Sequence, residues 1–85
     1  MKKDTEKTTA FYSTHLLRHW RFTIGLNIHR HRSQQKLPLK KLAKLTGISE
    51  GLLDHYELGK NEIALDEMLK IACALRMPVA ELMQA

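Results

Sequence analysis

The chain has one cysteine, Cys73, among its 85 residues. A lone thiol excludes an internal disulfide, so packing alone must hold the fold, and a reducing compartment is expected. Proline and glycine are scarce, at two and four residues, which argues against a loop-rich fold and for a compact helical one. No apolar run reaches the length of a membrane span. The polar start MKKDTEKTTA does not lead into the uninterrupted apolar stretch of a secretory signal. The expectation is a soluble cytoplasmic protein with no membrane partner. Phosphate-loop, CxxC and HExxH patterns are all missing, so no enzyme is expected. His15 and His19 stand four apart, the spacing of a shared metal ion, but no third ligand lies near them. Neither a metal nor any other cofactor is therefore expected.

Acidic residues are rare in the first half. Residues 1–46 carry eleven lysines and arginines against Asp4 and Glu6, a net of +9, while residues 47–85 carry three against seven carboxylates, a net of −4. A basic half of this kind calls for a polyanionic partner, either nucleic acid or an anionic surface. The length allows one domain. Residues 1–13 read as a flexible basic tail and residues 14–85 as the domain, which leaves no room for a separate ligand-binding or cleavage domain.

Apolar spacing predicts five helices and no strand, an all-α fold. Leu17, Trp20, Ile24 and Ile28 recur at helical spacing from Thr14 to Gln35, with His31 next in register. Leu37-Pro38 interrupts that helix, and proline suits the start of another. In LKKLAKL, Leu39, Leu42, Ala43 and Leu45 are expected inward and Lys40, Lys41 and Lys44 outward. Thr46-Gly47-Ile48-Ser49 reads as a tight turn, with Gly47 ending one helix and Ser49 capping the next. The following helix, Glu50 to Leu58, buries Leu53, Tyr56 and part of Leu52, and Gly59 stops it. Leu65, Met68, Leu69, Ala72 and Leu75 form the next stripe, and Pro78 opens a last short helix with Val79, Leu82 and Met83. Cys73 is expected to pack on the flank of the fourth helix.

Two short helices joined by a glycine-containing turn describe a helix-turn-helix, here at about residues 39–58. The order of parts resembles the Cro and phage-repressor type, the XRE-like, lambda-repressor-like DNA-binding domain. The matching pieces run from Ile24-Gly25, Ile28 and Arg32 through Leu42-Ala43 and Gly47-Ile48-Ser49 to Tyr56-Glu57-x-Gly59-Lys60. Leu69-x-Ile71-Ala72-x-Ala74-Leu75 and Pro78-x-x-Glu81-Leu82 complete the series. YELGKNEI looks especially like a bacterial subgroup with the loop Y-E-x-G-x-N-x-I.

The resemblance implies a transcription regulator whose third helix, residues 50–58, enters the major groove of double-stranded DNA. It places Glu50, Gly51, Leu52, Asp54 and His55 towards bases. Lys36, Lys40, Lys41, Lys44, Ser49, Lys60 and Asn61 would face phosphates. It also implies an internal ion pair between Arg32 and Glu57. One departure stands out: the family's glutamine at the start of the second helix is Leu39 here. Because Glu50 and Asp54 are acidic, a second reading stays open, a protein-interaction module of the same fold whose acidic helix meets a basic partner protein. Phe22 lies about 200° around the helix from Ile24 at ~100° per residue. Phe22, Leu26 and Trp20 are thus a candidate dimer face for the expected homodimer.

Overall fold

The computed structural model describes residues 16–85. The tail and His15, weighed with His19 as a metal pair, lie outside these residues. Among the described residues there are five α-helices and no strands: α1 Leu17–Gln34, α2 Leu39–Thr46, α3 Glu50–Glu57, α4 Leu65–Ala74 and α5 Val79–Leu82.

Local chemistry sets the helix ends. At Pro38 the backbone is extended (φ −63°, ψ 149°) as α2 begins, and its carbonyl accepts from the amides of Lys41 and Leu42. Gly47 closes α2 at φ 74°. The hydroxyl of Thr46 donates to the Leu42 carbonyl at 2.8 Å and accepts from Ile48 N–H at 3.2 Å, which shapes the turn. Ser49 Oγ then caps α3 by accepting from Leu52 N–H at 3.1 Å. Helix α3 ends in a Schellman motif: Lys60 N–H donates to the His55 carbonyl and Gly59 N–H to that of Tyr56, with Gly59 at φ 71°. The same pair of bonds closes α1 and α4, but there the left-handed residues are Lys36 (φ 53°) and Arg76 (φ 59°). Neither residue type signals such an end, because a side chain in that conformation costs roughly 1–2 kcal/mol.

Ile28, Leu42, Leu53, Ile71, Leu75 and Leu82, drawn from all five helices, are enclosed within the core. Burying each contributes about 1.5–3 kcal/mol. Tyr56 is buried with them, and its hydroxyl donates to a carboxylate oxygen of Glu67, linking α3 to α4. Burial and that bond push its pKa up to about 12. Buried Asn27 donates through Nδ2 to the Leu82 carbonyl at 2.8 Å and the Gln84 carbonyl at 2.7 Å, holding the end of the chain against α1.

Several positions differ from the expected pattern. Leu45, Leu65 and Leu69 are 54%, 67% and 49% exposed. On α4 the inward stripe is Met68, Ile71, Ala72 and Leu75. Apolar residues occupy both sides of that helix, so spacing alone cannot choose between two overlapping stripes. Leu17 and Met83 are also largely exposed. Cys73 is exposed rather than packed, since one step of ~100° beyond Ala72 carries it off the core line. Trp20 packs against the core, not on the outer face with Phe22; it sits one turn before Ile24 and shares that inward line.

Helix α1 crosses α3 very closely at Gly25. A Cβ there would clash with the Tyr56 carbonyl oxygen and lie 2.9 Å from that of Glu57, both backbone atoms. Gly51 has no atom within 4 Å of the same position and no positive φ. Gly25→Ala should therefore lower stability by at least about 2 kcal/mol through overpacking. Gly51→Ala should raise it by about 0.5–1 kcal/mol through helix propensity. Denaturant unfolding of both variants checks this, and equal effects would show that the crossing is not close.

Candidate functional site

Helix α3 turns one face inward and leaves the other open. Leu53 and Tyr56 are buried, while Glu50, Gly51, Asp54 and His55 are exposed. Leu52 is half-buried and packed against the core, which separates it from the open face it was expected to share with those four. Lys40, Lys41 and Lys44 are exposed on α2 and, with Pro38, line one open groove. Leu39 packs against the core. It leaves the start of α2 without a polar side chain at that position. Lys36, Ser49, Lys60 and Asn61 are exposed in the turns that bound the two helices. Cationic side chains thus precede α3 and follow it, and the exposed carboxylates Glu50 and Asp54 sit on α3 itself.

The tie between α3 and the scaffold is an ion-pair network. Arg32 presents Nε to Glu57 Oε2 at 2.7 Å and Nη2 to Oε1 at 2.9 Å, a two-pronged contact. Its Nη1 donates to the Leu37 carbonyl at 3.0 Å, just before α2. One guanidinium therefore links the end of α1, the entry to α2 and the end of α3. His29 also belongs here, with Nδ1 3.0 Å from Glu57 Oε1. Sequence reasoning missed it, although its place one turn before Arg32 on the same helix face was a usable signal. The Glu57 side chain is 6% exposed. Burial works to raise its pKa, but hydrogen bonds from Arg32 and His29 outweigh burial and hold it below its ordinary value. The Arg32 pKa is raised, first by its hydrogen bond to Glu57.

Glu57 is thus committed inside the protein, and Glu50 and Asp54 are the carboxylates α3 presents outward. Among the described residues, no group of three or more histidine, cysteine or carboxylate side chains is arranged to hold a metal ion. None of the described helices is long and apolar enough to cross a membrane.

Residues 28–82 match the helix-turn-helix family. The chain belongs to the XRE-type helix-turn-helix family. Members of this family are DNA-binding transcription regulators. Among solved structures, the XRE-type domain is similar to the restriction-modification controller protein C.AhdI from Aeromonas hydrophila. The identity is 27% and the TM-score 0.71, over 73% of this chain and 94% of the controller protein. No curated protein matches the chain.

A depressed carboxylate pKa stabilises the fold above the ordinary carboxylate range, and that contribution is lost as pH falls through the folded-state value. At neutral pH, Glu57→Ala should cost about 3–5 kcal/mol, because it strands the Arg32 guanidinium in a poorly solvated place. The deficit should shrink below about pH 4.3, where unfolded-state carboxylates take up protons. Unfolding curves of both proteins across acid pH test this; a constant gap would separate the deficit from Glu57 ionisation.

Proposed function

We propose that the protein is a sequence-specific regulator of transcription that binds double-stranded DNA as a homodimer, with α3 in the major groove. Glu50, Gly51 and His55 face bases and Asp54 stands at the margin. Lys36, Lys40, Lys41, Lys44, Lys60 and Asn61 face phosphates, together with Ser49 and the first-turn amides of α2 and α3. The chain would regulate through occupancy of a DNA site, a reading supported by its likeness to a restriction-modification controller protein. Phe22 and Leu26, 62% and 41% exposed on the outer face of α1, are the surface assigned to the second copy. Trp20 is not part of it.

The observation that carries this reading is the open face of α3 bounded by exposed cations. Phosphate neutralisation supplies most of the electrostatic attraction to DNA, so the base-reading helix need not provide it. Glu50 then has two compatible roles. It favours the positive end of the α3 dipole, and its carboxylate accepts a hydrogen bond from cytosine N4 at a base edge.

The exposed pair Glu50 and Asp54 also favours the second reading, a basic protein partner. Titration with duplexes selected from a random pool, at several salt concentrations, separates the two. DNA binding gives an affinity that falls steeply with salt; no binding at low salt favours the protein partner.

Lys44→Ala should weaken binding to all duplexes alike and flatten the salt slope by about one. A changed ranking of sites at an unchanged slope would move Lys44 from phosphate to base. Glu50→Gln should shift base preference at one position of the selected site, or raise affinity for every duplex if the charge only repels. An unaltered profile and affinity would place Glu50 away from DNA. Phe22→Glu should give monomers in sedimentation velocity with the helical signal retained, and an intact dimer would send the subunit contact to another face.

A further inference from the structure

One row of α1 runs along the seam with α3. At ~100° per residue, Arg18, Arg21, Gly25 and Arg32 fall within a sector of about 60°. Arg32 grips Glu57. Gly25 lies against the carbonyls of Tyr56 and Glu57. Further towards the start of α1 the row meets the turn after α3. A Cβ on Gly59 would sit 3.2 Å from Phe22 Cα and 3.6 Å from the Arg21 carbonyl carbon. Arg21 therefore flanks the Gly59-Lys60-Asn61 turn, and Arg18 follows on the same row about 4.5 Å further along the axis, at 1.5 Å per residue.

We propose that Arg18 and Arg21 form, with Lys60, a second phosphate-binding row that extends the DNA contact onto the first half of α1. The inference rests on the DNA reading above and takes the phosphates next to those held by the Gly59-Asn61 turn as its ligands. Three observations carry it. Helix α1 contains no carboxylate over its whole span. Both ion pairs among the described residues are spent on Glu57, by Arg32 and His29. Arg21 is half-buried and its Nε finds no hydrogen-bond partner among the described residues, so its guanidinium, a planar fork that suits a phosphate, is not spent within them. Arg18 and Arg21 also precede both the matched residues, 28–82, and the motif that begins at Ile24.

The test uses the full chain and a duplex selected from a random pool, with binding followed by anisotropy over a range of salt. Arg18→Ala and Arg21→Ala should each weaken binding several-fold and reduce the salt slope by about one, whatever the base sequence. Arg21→Lys should restore most of the slope, because the charge is kept. Ethylation interference should lose one or two phosphates in each alanine variant, adjacent to those lost in Lys60→Ala. Arg18 is exposed, so its replacement reports on contact even if Arg21→Ala melts early. Suppose the wild type binds, Lys60→Ala flattens the slope, and both arginine variants keep slope and interference pattern. The α1 row is then wrong and the DNA reading stands. If the wild type binds no duplex at low salt, the DNA reading itself falls and takes the row with it.

Discussion

The Arg32 guanidinium is the constraint on which the site depends. Its three hydrogen bonds run to Glu57 and to the Leu37 carbonyl, so one rigid planar group sets how α1, the entry to α2 and the end of α3 meet. Such a buried pair adds little net stability compared with an apolar replacement, because both charges lose water. What it supplies is position. Loss of one partner leaves the other stranded, and that penalty keeps α3 in a single orientation.

The network works because other contacts bring its members together. Gly25 lets the backbone of α1 approach the last carbonyls of α3, and in that arrangement Arg32 reaches Glu57 with both prongs. Asn27, on the opposite flank of the same helix, fastens the chain end through two carbonyls. Helix α1 is thus the spine of the domain, with polar side chains fixing one element on each side and Ile24 and Ile28 closing the core between them.

Charge is divided by helix rather than spread evenly. Around the site, the lysines sit on α2 and in the turns, and the outward carboxylates Glu50 and Asp54 on α3. In the proposed complex this separates two tasks: long, solvated cations draw in the duplex without regard to sequence, while a short acidic reader discriminates. An acidic reader is selective for that reason, since it is repelled wherever it finds no donor on a base edge.

Much of this was legible in the sequence. Helical apolar spacing, Gly47 and Ser49 at the turn, and Gly59 after Leu58 mark α2 and α3 through local rules of dihedral angle and hydrogen bonding. The ordered motif from Ile24 to Leu82 carried the family and the Arg32–Glu57 pair. Local rules do not say which of two apolar stripes turns inward. Leu45, Leu65 and Leu69 were therefore misjudged and Ile71 was passed over, because the direction of burial depends on the neighbour a helix meets. The partners of Asn27 and His29, the clash that reserves Gly25 for glycine, and the seam that brings Arg21 beside Gly59 join residues far apart in the chain. Only the packed structure decides them, since each arises from the distance between two elements that no sequence period encodes.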